Sequence, residues 1–137
     1  MKNPRIFIKK PVYSELLVSC LRDPEKETCG ILAGKANHIE KIFPLANVSD
    51  NPKFCYIIDA KEQLAIFKAL RSQALEMVAI YHSHVDSQAY PSQKDIELAF
   101  YPESSYIIIS LSNPQQPVVR SFKIVESKII EEDVIID

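Results

Sequence analysis

The alternation of apolar and polar positions along the chain predicts several short strands and about three helices. Short apolar or alternating runs rich in Val, Ile, Phe and Tyr indicate strands, because such runs fit a partly buried pleated surface. The predicted strands are 5–8, 30–33, 39–43, 54–58, 77–81, 105–111, 118–125 and 129–136. The segment 113–117 contains two prolines and cannot continue a ladder, so it predicts the connection between two of these strands.

Helical spacing of apolar residues appears in segments that begin at a Pro or at a capping residue. Pro11 suits the start of a helix over 12–21, and Asp59 is placed to cap a helix over 60–71. A third helix, 93–100, is predicted to follow Pro91 and Ser92. Strands mixed with about three helices favour a layered α/β or α+β domain.

Composition indicates an ordinary globular protein with one domain over residues 1–137. Hydrophobic residues make up 47% and charged residues 25% of the chain, and the net charge of -2 gives no electrostatic case for nucleic acid. The sequence contains no apolar run that could span a bilayer and no signal-peptide core, so we expect no membrane contact and a cytoplasmic location. Its three cysteines are widely spaced and are expected to be free thiols.

Two histidines at the end of an apolar run are the strongest chemical signal in the chain. His82 and His84 are two residues apart at the exit of the predicted strand 77–81, so in an extended chain they would point to the same face, while Ser83 points to the other. Asp95 would lie in the first turn of the next helix, and two imidazoles with a carboxylate suit Zn²⁺. Ser92 and Asp95 also fit an ordinary helix cap, so these residues alone leave both interpretations open.

Glu27 changes the balance between the two interpretations. It precedes the segment Thr-Cys-Gly-Ile-Leu-Ala-Gly, and alone it would be a solvated charge at a strand entry. With the downstream residues it completes a Glu, His-x-His, seven residues, Ser, two residues, Asp pattern. In this pattern the chain resembles the JAMM metalloproteases, the catalytic branch of the MPN domains, and is most similar to their short bacterial members. The matching residues are Glu27, His82, His84, Ser92 and Asp95.

The resemblance implies a curved mixed sheet flanked by helices, a fold similar to that of cytidine deaminases. It implies Zn²⁺ bound by His82, His84 and Asp95, with Glu27 as general base and Ser92 as a donor to the developing oxyanion. The implied substrate is an amide bond after the Gly-Gly tail of a ubiquitin-like sulfur-carrier protein. We expect release of cysteine or another small amine, with the tail pairing along a sheet edge.

Other functions remain as alternatives. A zinc deaminase would need His-x-Glu and Pro-Cys-x-x-Cys, which the sequence lacks. Cys29 could serve a cysteine hydrolase, although a buried structural thiol is the commoner role. A non-catalytic MPN scaffold is the main non-enzyme alternative, and a homodimer is possible. His38 falls in a predicted turn and is expected at the surface.

Overall fold

The computed structural model describes residues 3–137, which form seven strands and three helices. In chain order these are β1 (Arg5–Ile8), α1 (Lys10–Leu21), β2 (Cys29–Lys35), β3 (His38–Leu45), α2 (Ala60–Ser72), β4 (Glu76–His84), α3 (Gln93–Glu97), β5 (Ser105–Ser110), β6 (Val118–Val125) and β7 (Lys128–Ile136). None of the helices in this part of the chain is long and apolar enough to cross a membrane.

The seven strands form one mixed sheet that curves until it closes on itself. The order around the barrel is β1-β3-β2-β4-β5-β6-β7, and β7 pairs again with β1. The pairs β1–β3, β1–β7 and β4–β5 are parallel, and the others are antiparallel. The predicted curved mixed sheet with flanking helices is therefore confirmed. β1 pairs with β3 only at His38 and Ile39, so the rest of β3 has no strand partner on that side among the described residues, and pairing of a tail along a sheet edge stays a prediction.

Side chains of β2 alternate between two apolar clusters on opposite faces of the sheet. Leu32 is fully buried in a cluster that includes Leu16 of α1, whereas Ile31 and Ala33 pack in a cluster with Leu70 of α2. This alternation follows from the two-residue period of a strand. It places α1 and α2 on opposite faces of the sheet, with the central strands β2 and β4 between them.

Glycines occur in β2 where neighbouring groups come too close for a side chain. A Cβ at Gly30 would lie 2.5 Å from the Phe43 carbonyl oxygen and 2.5 Å from the Tyr81 ring. A Cβ at Gly34 would collide with the backbone of His38, at the point where the β2–β3 register shifts. Close backbone approach therefore explains the glycines of the Glu27 segment.

Most predicted elements lie within three residues of the observed bounds, but one predicted strand is not formed and one predicted helix is too long. Segment 54–58 was expected to be a strand, but it begins with a turn in which Phe54 and Cys55 both donate to the Asn51 carbonyl, and only Ile58 forms a bridge. The third helix ends at Glu97 instead of continuing to residue 100. After Glu97 the backbone forms tighter turns, in which the Ala99 amide donates to the Ile96 carbonyl and the Phe100 amide to the Leu98 carbonyl.

Candidate metal centre

Three ligand-type atoms converge where β4 ends and α3 begins. His82 and His84 lie on the same face of β4, as predicted from their spacing, and α3 presents Asp95 from its first turn. The two Nε2 atoms are 3.2 Å apart, and they lie 3.1 Å and 3.0 Å from Asp95 Oδ2. All three residues are buried, so the structure brings together the predicted ligand set in a site protected from solvent.

The tautomer of His84 suggests why a cation belongs between these atoms. Its Nδ1 lies 2.8 Å from the Gln88 carbonyl oxygen, which can only accept, so Nδ1 carries the proton. In a neutral ring, Nε2 would then carry a lone pair that faces the Asp95 carboxylate, so either a proton or a cation on Nε2 must separate the two groups. A hydrogen bond from the distal ring nitrogen to a carbonyl is the usual way to orient a metal-binding imidazole.

The spacing of the three atoms also fits a metal ion. Ligands of a tetrahedral Zn²⁺ with bonds of 2.0–2.1 Å stand about 3.3 Å apart. The observed separations of 3.0, 3.1 and 3.2 Å are close to that value. The residues can therefore hold a divalent cation and leave one coordination position for water.

Ser92 and Asp95 form a helix cap as well as facing the imidazoles. The Ser92 side chain accepts the Asp95 backbone N–H at 3.1 Å, and Asp95 Oδ2 accepts the Ser92 backbone N–H at 2.9 Å. Both interpretations drawn from the sequence are thus compatible, because the capping box fixes the carboxylate that faces the two imidazoles in the candidate metal site. Ser92 Oγ only accepts in this cap, so its own hydrogen remains available to a substrate.

Burial and hydrogen bonding shift the pKa values of the three residues in different directions. Burial lowers the pKa of His82. Burial also opposes charge on His84, but hydrogen bonds to Asp95 and to the Gln88 carbonyl outweigh it and raise the pKa of that imidazole. Desolvation would raise the pKa of Asp95, yet hydrogen bonds from both imidazoles hold it well below the usual range. The carboxylate therefore stays ionised, as a metal ligand must.

Glu27 lies just before β2, with its side chain only 4% exposed. Its Oε1 atom is buried without a hydrogen-bond partner within the described chain. Desolvation raises the pKa of Glu27 to about 8, with His84 lowering it and Asp95 raising it, so the carboxyl lies within electrostatic reach of both. A buried carboxyl with an unused oxygen beside a metal site has the character of a general base.

The segment that carries Glu27 is tied to β4 between the two histidines. The Ser83 amide donates to the Thr28 carbonyl at 3.0 Å, and the Thr28 amide donates back to Ser83 Oγ at 2.9 Å. Ser83 points away from the imidazoles, as the strand period predicted. It therefore links the glutamate segment to the histidine strand without entering the site.

The surroundings of Cys29 disfavour a role for its thiol as a nucleophile. It is 1% exposed, and its Sγ points to the Leu45 and Ala46 carbonyls at 3.8 Å. Desolvation and then the charge of Glu27 raise the pKa of the thiol to about 12, so the reactive thiolate is disfavoured. His38 is exposed and stacks on Phe7, as expected for a surface residue.

Tyr56 is a site residue that the sequence analysis missed. Its ring stacks on His82 with centroids 4.4 Å apart and an interplanar angle of 23°. Tyr56 also lines a groove of about 220 Å³ between 56–58, Gln63 of α2 and 98–101. No spacing rule connects Tyr56 to the histidines, because the contact depends on how the loop after β3 folds.

Comparison with known proteins identifies the family. Residues 9–125 match the family described as prokaryotic homologs of the JAB domain. The CysO-cysteine peptidase of Mycobacterium tuberculosis is 34% identical to this chain over 94% of its length and 89% of the relative.

Solved structures agree with this match. A solution structure of a protein from Desulfitobacterium hafniense is 35% identical and superposes with a TM-score of 0.87, covering 96% of this chain and 92% of the other. A JAB1/MPN domain protein from Archaeoglobus fulgidus shares the fold, with a TM-score of 0.63 at 14% identity over 96% of this chain and 98% of the other. The chain therefore belongs to the prokaryotic homologs of the JAB domain, a hydrolytic family of the JAMM type, and the resemblance drawn from its sequence is confirmed.

Proposed function

We propose that this JAMM-type hydrolase uses Zn²⁺ to cleave the amide bond after the C-terminal Gly-Gly tail of a ubiquitin-like sulfur-carrier protein. The metal would be held by His82, His84 and Asp95. The observation that carries the proposal is the convergence of their ligand atoms within 3.2 Å of one another, with an unpartnered Glu27 oxygen nearby. This arrangement supplies the metal ligands and the general base that metal-assisted hydrolysis needs.

Each residue of the site has a distinct part in the proposed reaction. Bound Zn²⁺ would lower the pKa of a water and polarise the scissile carbonyl. Glu27 accepts a proton from the attacking water and returns it to the leaving amine, and its raised pKa of about 8 makes its carboxylate a stronger base than an ordinary one. Ser92 donates its hydroxyl hydrogen to the carbonyl oxygen as that oxygen becomes negative.

The substrate class is supported by the relative and by the surface beside the site. The mycobacterial relative is named for a peptidase activity on CysO-cysteine, which suggests a carrier protein with an amino-acid adduct for this chain. The groove lined by Tyr56, whose ring stacks on His82, is rimmed by exposed apolar side chains, with Ile57 47% and Phe100 71% exposed. Such a groove could accept the extended tail of a carrier while its small glycines reach the buried metal site.

A direct test combines metal analysis with a cleavage assay. The purified chain should contain about one zinc per molecule, and it should release cysteine from a sulfur carrier with a C-terminal cysteine adduct. A chelator should abolish release and Zn²⁺ should restore it. Bound zinc without cleavage of any carrier adduct would favour the scaffold alternative, whereas inhibition by thiol alkylation but not by chelators would favour a cysteine hydrolase.

A further inference from the structure

Asn47, just after β3, uses its carboxamide to connect two segments that approach the metal site. Its Nδ2 donates to the Glu27 carbonyl at 2.8 Å and to the Cys55 carbonyl at 3.0 Å. Its Oδ1 accepts the Ser49 and Ile57 amides, both at 3.0 Å. Both amide hydrogens and the oxygen of Asn47 are therefore engaged with backbone.

These bonds hold the backbone of two segments, one next to Tyr56, which stacks on His82, and one at Glu27. Cys55 and Ile57 flank Tyr56, so the carboxamide holds the backbone on both sides of the ring that stacks on His82. The bond to the Glu27 carbonyl acts on the residue proposed as base, whose amide also donates to the Pro52 carbonyl at 2.7 Å. One side chain thus sets Glu27 and Tyr56 relative to each other.

We propose that Asn47 is a positioning residue for the reaction, acting through the Glu27 backbone and the Tyr56 loop. The inference rests on the proposed function, since it assigns Asn47 a part in placing the general base. An asparagine suits this place because the two carbonyls need donors and the two amides need an acceptor. Aspartate offers only acceptors, and serine offers a single hydrogen.

Two variants distinguish the hydrogen bonds that Asn47 donates from those that it accepts. Asn47→Ala removes all four bonds, whereas Asn47→Asp keeps an acceptor for the Ile57 amide but loses the donor to the Glu27 carbonyl. In both, we expect about one zinc per chain and a KM within about twofold of wild type, while kcat falls about 10- to 100-fold because the base is misplaced. Asn113→Ala, which breaks a turn contact between β5 and β6, is the matched control and should leave kcat unchanged.

Combination with Glu27→Gln distinguishes positioning of the base from general damage. If Asn47 acts through Glu27, Asn47→Ala should lower the residual rate of Glu27→Gln by a smaller factor than it lowers the rate of wild type. Hydrogen exchange should show a faster Ile57 amide in Asn47→Ala than in Asn47→Asp, with the β4 amides unchanged in both.

The results distinguish failure of the proposed function from failure of the inference about Asn47. Wild-type protein that lacks chelator-sensitive cleavage would overturn the proposed function and the role of Asn47 in it. Active wild-type protein with an undiminished kcat in Asn47→Ala, or with equal fold-losses in the presence and absence of Glu27, would overturn the inference about Asn47 alone. Loss of zinc from Asn47→Asp would also overturn it, because the metal residues would then depend on the same network.

Discussion

At the scale of single residues, the two carboxyls beside the metal site differ in what surrounds them. Asp95 accepts hydrogen bonds and stays ionised, whereas Glu27 has an unpartnered oxygen and a raised pKa. We therefore expect Asp95→Ala to lose bound metal and hydrolysis together. Glu27→Gln should keep the metal but lose hydrolysis by about 10²-fold or more, because proton transfer is removed. Metal content and initial rates measured on the same samples test both expectations.

Asp86 provides a control for these two changes. It lies on the exposed loop after β4 and faces solvent, so Asp86→Ala should keep both zinc and turnover. Near-normal hydrolysis by Glu27→Gln would show that another group is the base. Full metal content in Asp95→Ala would remove Asp95 from the ligand set.

Glu27 also makes stability depend on pH in the metal-free protein. Its pKa of about 8 in the fold exceeds the value near 4.5 of an unperturbed carboxyl, so the fold favours the neutral form. Its stabilising contribution is complete below about pH 4.5 and is lost as pH rises through 8. Chelator-treated Glu27→Gln should thus gain stability over chelator-treated wild type as pH rises, by at most about 3 kcal/mol at pH 7. Denaturant unfolding at pH 4.5, 7 and 8 measures the difference, and a constant difference would contradict the burial of an ionisable Glu27.

Sequence spacing was sufficient to identify the residues that share short segments. His82 and His84 lie two apart on one strand, and Asp95 follows Ser92 by the spacing of a capping box, so local geometry determined their directions. Spacing rules could not identify Tyr56 and Asn47. Their roles arise from a loop whose backbone partners are supplied by side-chain amides instead of a neighbouring strand.

At the scale of elements, the hairpin between β6 and β7 carries a strain that can be relieved. Its two turn residues, Glu126 and Ser127, have φ values of 51° and 65°, in the left-handed region that Asn and Gly tolerate best. Replacing them together with Asn and Gly should raise the free energy of unfolding by about 1–2 kcal/mol. Denaturant unfolding of the double variant measures the gain.

Lys128 is the control for this hairpin, because it starts β7 in an extended conformation. Lys128→Gly should destabilise the protein by about 0.5–1 kcal/mol, since glycine loses more backbone entropy on folding. A double variant of Glu126 and Ser127 that is less stable than wild type would mean that the original side chains contribute contacts which outweigh the turn strain.

The same local rules explain which elements the sequence predicted well. β6 was predicted with its observed bounds, because alternating apolar residues end at a proline-rich turn on one side and at the hairpin on the other. α2 begins at the predicted Asp59 cap, whose side chain accepts the Glu62 amide. α3 was predicted too long, because the capping signal at Ser92 marks the start of a helix but not its end.

At the scale of the whole molecule, the proposed metal would join two elements from different parts of the fold. The histidines belong to β4 in the barrel, whereas Asp95 belongs to a five-residue helix outside it. Closure of the barrel could not be predicted from the pattern of strands, because the parallel pairing of β1 with β7 joins opposite ends of the chain. The convergence of His82, His84 and Asp95 was predictable because these residues follow one another along one crossover.

Metal removal should therefore lower the stability of the whole protein. A ligand that binds only the folded state stabilises it by about 4 kcal/mol when present at 1,000 times its Kd. We expect a chelator to lower the Tm of wild type and of Glu27→Gln, which keep the three ligands, but to leave the Tm of Asp95→Ala unchanged. His38→Ala should behave like wild type, because His38 is an exposed histidine that stacks on Phe7. An equal fall in Tm for Asp95→Ala would place the stabilising metal elsewhere, since the bond between β4 and α3 cannot form without that carboxylate.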